Sequence, residues 1–529
     1  MIRIRDLTLT PDRGPRDLRA LAARELGIDE RDILELKIRR RSIDARKKPN
    51  VYIIYTVDVS VPNEQSVLSR AGKKCEIARD PVYVPPGARG PAPRPVVVGF
   101  GPGGMFAALI LAEAGMRPIV LERGEDADSR TEKVRALWER GELDPESNVQ
   151  FGEGGAGTFS DGKLTTGTKD IRIGYVFRRL CEFGADESIL YDAKPHIGTD
   201  VLRSVVKNLR SRVIRAGGEV RFRTAMTGLR TENGRLAAVL TDAGEIPCNA
   251  CVLAIGHSAR DTFRSLLGQG IAMEPKPFSM GVRIEHRQGD IDLAQYGLRE
   301  RSSLPPADYK LNCRFPEGDS AYTFCMCPGG YVVAAASQKG GVCTYGMSEH
   351  ARDGQNANAA LLVTLSPEDV PYPGPLGGAE WQEELERRAY EAGGGGYAAP
   401  VQRVGDFLAG RPGGPSKKVV PTYRPGVKWC DLNRVLPERL CGTLRKAIPE
   451  LGRRLRGFDD PEAVLTAVEA RSSSPVRIIR DGGLQSPTCR GLFPCGEGAG
   501  YAGGIVSAAV DGIRCAEKIV ELTDSPAEV

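Results

Sequence analysis

The chain has 529 residues, of which 41% are hydrophobic and 27% charged, with a formal net charge of +5. That composition suits a soluble protein of roughly two to four domains, and the absence of any run of about 18 apolar residues speaks against a membrane span. The surplus charge lies in residues 1–88, which hold 18 Lys+Arg against 13 Asp+Glu; the balanced remainder gives no case for a general nucleic-acid partner.

The opening stretch MIRIRDLTLTPDRG lacks the apolar core of a signal peptide, and the 13 cysteines are odd in number. The expectation is a cytoplasmic protein with mostly reduced thiols. Residues 1–61 read as strand, helix, strand, strand: IRIRDLTL, DILELKIRR and VYIIYTVDVSV alternate, and PRDLRALAARELG has helical spacing and stops at Gly27. Within this module RRRSIDARKK (39–48) carries six basic residues in ten, either a polyanion-binding stripe or solvated charge that meets the next domain. PVYVPPGARGPAPRP (81–95) reads as a semi-rigid linker.

Then comes VVVGFGPGGMF (96–106). An apolar strand runs into Gly99, Gly101 and Gly104, with Pro102, Gly103 and Met105 opening the helix that follows. Such a turn permits a tight bend, close backbone approach to a pyrophosphate, and close helix–strand packing. RPIVLERG adds a second strand ending in Glu122 and Arg123; 17 residues separate Gly104 from Glu122. A carboxylate there can accept both ribose hydroxyls of an adenosine and repels a 2′-phosphate. This set predicts a dinucleotide site.

A second glycine-rich loop, NVQFGEGGAGTFSDGKLTTG (148–167), carries Gly154, Gly155, Gly157, Thr158, Ser160 and Lys163. EVRFRTAM, LAAVLT and EIPCNACVLAIG then read as a meander that ends in an apolar strand with Ala254, Ile255 and Gly256. Its Cys248–Cys251 pair opens a strand rather than a helix and reads as core packing; with no second well-spaced pair, no metal is expected. His257 follows Gly256, as a structural hydrogen-bonder or a cofactor contact.

Beyond about residue 281 the pattern is mixed, with strands near 323–337 and a long helix near 436–457. Cys325 and Cys327, two apart in a strand, would share one face. They read as a redox pair or as small buried hydrophobes. Arg471, Arg477 and Arg480 precede the last strand, to bind a carboxylate or to pair with acids between domains. GLFPCGEGAGYAGGIVSAAVDGIRCAE (491–517) is a strand, then Gly496-Glu497, then a helix led by Gly503, Gly504 and Ile505.

Together these segments resemble the FAD domain of glutathione-reductase-like flavoproteins. The set GFGPGG, FGEGGAGTFSDGKL, GHSARD, CMCPGG and GEGAGYAGG, with RRSIDARKK upstream, resembles over essentially the whole chain a bacterial group of uncharacterised FAD-dependent dehydrogenases. The resemblance implies FAD as cofactor, with Glu497, where the wider fold often has Asp, near the pyrophosphate and ribityl chain. It also implies the last helix pointing its N-terminus at the flavin pyrimidine edge, and the Ser160–Lys163 loop beside the ring.

The expected fold is α/β: a three-layer FAD-binding domain with a Rossmann-like parallel sheet (89–280 and 471–525), an inserted α+β substrate domain (281–470) and an N-terminal α+β module (1–88). The expected function is flavin redox chemistry on a small organic substrate, with NAD(P)H a possible electron donor for which no second fingerprint exists. An RNA-modifying flavoprotein and a non-catalytic FAD scaffold or sensor are the alternatives. The sequence carries no statement about oligomeric state.

Overall fold

The computed structural model describes residues 1–87, 93–301 and 303–523. Part of the proline-rich linker and residues 524–529 of the tail therefore lie outside the described residues.

The N-terminal strands β1 (Ile2–Leu9), β2 (Glu35–Lys47), β3 (Asn50–Ser60) and β4 (Cys75–Ile77) form an antiparallel sheet in the order β2-β3-β1-β4, with helices α1 (Asp17–Leu26) and α2 (Glu64–Arg70). The inward set of the alternation, Ile2, Ile4, Leu7, Val57 and Val59, packs on Leu18, Ala22 and Leu26 of α1. Helix α2 and strand β4 are additions to the sequence reading. The module docks along β2: Arg41 N–H donates to the Tyr191 carbonyl at 2.7 Å, and Arg41 Nε meets Asp192 Oδ1 at 2.6 Å.

The central body is built on β5 (Val96–Val98), α3 (Pro102–Glu113), β6 (Ile119–Leu121), α4 (Ala127–Arg140), α5 (Arg172–Glu182), α6 (Thr199–Arg215) and β7 (Glu219–Arg221). It continues through β8 (Met226–Glu232), β9 (Arg235–Thr241), β10 (Gly244–Pro247), β11 (Cys251–Leu253) and α7 (Arg260–Gly268). Here EVRFRTAM corrects the sequence reading. Glu219–Arg221 pairs in parallel with Ile119–Leu121 as the sheet edge, and only from Met226 does the antiparallel meander begin. Arg223, with φ +49°, turns the chain between them. An alternating run cannot show from sequence that its two halves serve different sheets.

After β12 (Met273–Pro275) the chain enters the inserted body: β13 (Phe278–Arg287), α8 (Gln288–Tyr296), β14 (Asn312–Arg314), β15 (Ser320–Cys327), β16 (Tyr331–Ala334), β17 (Thr344–Met347), β18 (Asn356–Leu365), α9 (Gly377–Ala392), β19 (Ala399–Arg403), α10 (Val404–Leu408), β20 (Val427–Trp429), α11 (Glu438–Arg454) and β21 (Val464–Glu469). Its seven-stranded sheet runs β14-β15-β18-β13-β21-β19-β20, with Leu440, Leu444, Ile448 and Leu451 of α11 in its core. The chain returns through β22 (Val476–Ile478), paired antiparallel with β12, so that entry and exit share one two-stranded neck. β23 (Leu492–Pro494) and α12 (Ile505–Thr523) finish the central body.

Its parallel sheet has the order β23-β11-β5-β6-β7. Alternation sorts the strands cleanly: Val97, Val120, Val252 and Phe493 face α3, α5, α6 and α12, while Val96, Val98, Leu121 and Leu253 face the β8–β10 meander. The result is a three-layer α/β body. Among the described residues no helix is long and apolar enough to cross a membrane.

Candidate functional site

The carboxyl ends of β5, β6, β11 and β23 lead into Gly99, Glu122, Ala254 and Cys495, and all four line one cleft. Ligands of open α/β sheets bind at this edge. Gly99 has φ +93°, and a Cβ on it would come within 2.3 Å of the Ala254 carbonyl oxygen. A Cβ on Gly104 would meet the Gly99 carbonyl oxygen at 1.9 Å, so α3 crosses β5 as closely as backbone allows. The first turn of α3 then presents amides and a positive dipole end at the cleft.

Glu122 is buried and accepts three backbone amides: Phe100 N at 2.8 Å on Oε2, Gly124 N and Gly152 N each at 2.9 Å on Oε1. An ionised carboxylate has roughly four acceptor sites. Glu122 therefore keeps room for about one further donor, which corrects the expectation that it accepts both ribose hydroxyls. Arg123 also lines the cleft but is held by Glu146 (2.9 Å) and Asp261 (2.9 Å) and lies over the Phe151 ring.

Of the residues read from sequence as cofactor contacts, Gly101, Pro102, Gly103, Gly155, Gly157, Ile255, Gly256, Gly496, Glu497, Gly503, Gly504 and Ile505 also line the cleft. Four others do not reach it. Met105 turns into the core, Gly104 is consumed by the helix–strand contact, and Thr158 is buried with its hydroxyl donating to the Glu153 carbonyl at 3.2 Å. Gly154 stands behind the wall, its N–H donating to the Phe100 carbonyl at 2.8 Å. A glycine-loop motif identifies the loop but not which of its side chains point outward.

Opposite the glycine-turn edge the inserted body supplies Phe324, Cys325, Cys327, Tyr345, Glu469 and Arg471. The loop Ser160–Lys163 sits between the two. Ser160 Oγ is engaged within its own turn, donating to the Gly157 carbonyl (2.7 Å) and accepting from Gly162 N–H (3.0 Å). Lys163 Nζ donates to the Met326 carbonyl. Asp161 between them is buried and paired with Arg352, Nε to Oδ1 at 2.9 Å; that cation and Lys163 outweigh burial and keep its carboxyl below the usual range.

The expectation that Cys325 and Cys327 share a strand face is corrected by a bulge. The register between β15 and β18 shifts between Phe324 and Cys327, and Cys325 has φ +39°. Both thiols border the cleft, but burial pushes Cys325 up to about 12 and Cys327 up to about 11, against the pull of Arg283. Burial thus favours the protonated thiols at neutral pH, which slows exchange chemistry. Burial likewise raises Cys248 and Cys251, in keeping with core packing.

Residues 277–472 match the family model described as "FAD-dependent protein, C-terminal domain-like", and residues 1–60 match a domain of unknown function. A protein of Clostridium beijerinckii, described as an uncharacterized protein, is 46% identical over 530 residues, spanning 99% of each chain. The chain belongs to the family of this clostridial protein. Among solved structures, glycine oxidase from Bacillus cereus is 13% identical with a TM-score of 0.31, covering 82% of this chain and 96% of that one. A geranylgeranyl bacteriochlorophyll reductase-like protein from Thermoplasma acidophilum is 14% identical with a TM-score of 0.37, covering 82% and 80%.

Around this cleft lie ion pairs that sequence spacing does not reveal. Arg260 of α7 and Arg471 share Glu386 of α9, with Arg260 Nη2–Oε1 at 2.9 Å and Arg471 Nη2–Oε2 at 2.7 Å. Burial pushes the Glu386 carboxyl up, but the two guanidiniums outweigh it and hold it at about 2. Fully buried Arg283 pairs with Glu469 at 2.9 Å. Arg477 and Arg480 pair with Glu274 and Asp511, so all three arginines of 471–480 are engaged by acids. Cys495, Asp511 and Cys515 bring ligand-type atoms within 4.8 Å of one another, a grouping invisible in their spacing. Asp511, however, is taken by Arg480 and the Gly496 amide.

His257 lines the cleft with its Nδ1 buried and without a partner among the described residues, and its Nε2 is 3.9 Å from Glu497 Oε1. Burial, with Arg471 and Arg260 nearby, lowers this imidazole to about 3, so it is neutral. Burial raises Glu497 to about 7, against the pull of Lys276.

Proposed function

We propose that the chain is a FAD-dependent oxidoreductase acting on a small organic substrate held between the parallel sheet and the inserted sheet. The observation that carries this reading is the continuous cleft from the Gly99–Gly104 turn and Glu122 to the β15 wall. The residues fit the cofactor. Gly256, Gly503 and Gly504 line the cleft, and a Cβ added to any of them would meet no protein atom within 4 Å. Side chains there would project into the space a flat, extended ligand needs. Glu497 and the unpartnered His257 Nδ1 offer polar groups at the same wall.

FAD, when bound, supplies the two-electron chemistry. The chain's own residues do the rest. The first turn of α3 would hold the pyrophosphate, and the remaining acceptor capacity of Glu122 would be open to a ribose hydroxyl. The N-terminus of α12, at Gly503–Gly504, would present a positive dipole end to the bound cofactor. The inserted wall orients the substrate and excludes water.

The partner is a small molecule rather than RNA. Within 39–48, Arg39 pairs with Asp58, Arg41 with Asp192 and Arg46 with Asp44, so much of the basic stripe is neutralised by the protein itself. The test is an anaerobic absorbance titration of the FAD-loaded protein with NADH, NADPH and then dithionite. Bleaching by a nicotinamide makes it a reductase. Bleaching by dithionite alone points to a dehydrogenase fed by its substrate. A flavin that no donor reduces contradicts the proposal and favours a scaffold or sensor.

A further inference from the structure

We propose that the cleft takes an organic anion, a carboxylate on an apolar body, and that Lys163 Nζ is the cation that holds it. This rests on the flavin reading and names the substrate class within it.

The argument is the placement of charge. At the nucleotide edge there is no surplus cation among the described residues: Glu122 is bound by neutral amides, and Arg123 is divided between Glu146 and Asp261. The opposite wall differs. Arg283 is matched by Glu469, and Asp161 by Arg352. Lys163, two residues after Asp161, lines the cleft and enters no ion pair among the described residues. Its ammonium donates to the Met326 carbonyl, and an ammonium has three donors. Behind it, Arg260 and Arg471 share the carboxylate of Glu386, Glu383 lies a further 3.9 Å from Arg260, and Arg471 borders the cleft.

Uncompensated charge in a half-enclosed site is costly to desolvate. An anionic ligand removes that cost, and a flexible ammonium beside it forms a charge-assisted hydrogen bond. The apolar part of the ligand has its own feature. Phe324 is 36% exposed and lines the same wall, edge-on to Tyr322 at 6.3 Å. The Met326 carbonyl that holds Lys163 lies in the same β15 bulge, two residues on, so ring and cation are fixed by one piece of backbone.

The test uses the full-length, oxidised, FAD-loaded protein titrated with benzoate and 3-phenylpropionate, reading the flavin absorbance. Benzyl alcohol and benzylamine serve as neutral and cationic controls. The expected result is a saturable spectral change with the carboxylates and none with the controls. Lys163→Met keeps its FAD but binds benzoate about tenfold or more weakly, and Lys163→Arg restores most of the affinity. Three results overturn the proposal: no change with either carboxylate, equal binding of benzyl alcohol, or unchanged benzoate affinity in Lys163→Met. If that variant instead lowers the flavin potential while benzoate binds as before, Lys163 serves the reduced ring alone and the substrate assignment fails. A protein that retains no FAD on gel filtration fails the flavin reading and this proposal together; FAD-loaded protein indifferent to carboxylates fails this proposal alone.

Discussion

Arg471 Nη2 lies 2.7 Å from Glu386 Oε2, with both side chains almost sealed from solvent, and Arg260 approaches the same carboxylate from the other side. The three residues come from α7, α9 and the segment after β21. The contact therefore ties the central body to the inserted body at the edge of the cleft. Glu386→Gln removes the carboxylate that two buried guanidiniums share, leaving Arg260 only Glu383 at 3.9 Å, and the expected loss of stability is about 3–5 kcal/mol. Urea denaturation measures it. Glu383→Gln, which removes the partner of partly exposed Arg264 and a carboxylate 3.9 Å from Arg260, is expected to cost less than Glu386→Gln.

Two glycine substitutions separate folding from cofactor binding. Gly104→Ala forces a Cβ to 1.9 Å from a backbone oxygen and should give a protein that fails to fold the β5–α3 turn. Gly503→Ala meets no protein atom within 4 Å. It should keep the thermal midpoint of the ligand-free protein within a few degrees while weakening FAD binding about tenfold or more. Circular dichroism melts with flavin retention on gel filtration compare the two.

The thiols of Cys325 and Cys327 are expected to be bystanders. With both held protonated by burial, alkylation at pH 8 should be slow in the folded protein and complete after denaturation. A reductive titration should take up about two electrons per flavin. An uptake of about four would show that the pair cycles through a disulfide.

Glu497 makes the ligand-free protein pH-sensitive. Burial raises its carboxyl from the usual 4.5 to about 7, so the folded state binds a proton that the unfolded state has released between those values. Its contribution is fully present below about pH 4.5 and is lost as pH rises through 7, up to about 3 kcal/mol. Thermal melts from pH 5 to 8 should show this fall in wild type and a flatter profile in Glu497→Gln.

Much of the fold was legible because it rests on backbone rules. The strand–GFGPGG–helix unit, the second strand ending in Glu122 and the glycine-led last helix each carry a periodicity and a turn that only a few local structures satisfy. Residues acting through backbone, such as Gly99 and Gly256, could be read the same way. What escaped reading depends on tertiary partners. Nothing local marks Glu219–Arg221 as the edge of a parallel sheet, because its partner Ile119–Leu121 lies about a hundred residues earlier. The commitment of Glu122 to three amides, the bulge that separates Cys325 from Cys327, and the sharing of Glu386 by Arg260 and Arg471 are set by segments distant in sequence. The inward turn of Met105 was equally hidden, since both faces of so apolar a helix look alike.

The most direct measurement is the flavin content of the purified protein. The chain is incubated with FAD, passed through gel filtration, and denatured to release and quantify the cofactor. The account predicts about one FAD per wild-type chain, with the amount sharply reduced in folded Gly503→Ala. Folded wild-type protein that emerges without flavin contradicts the central claim and leaves the cleft at the sheet edge to another ligand.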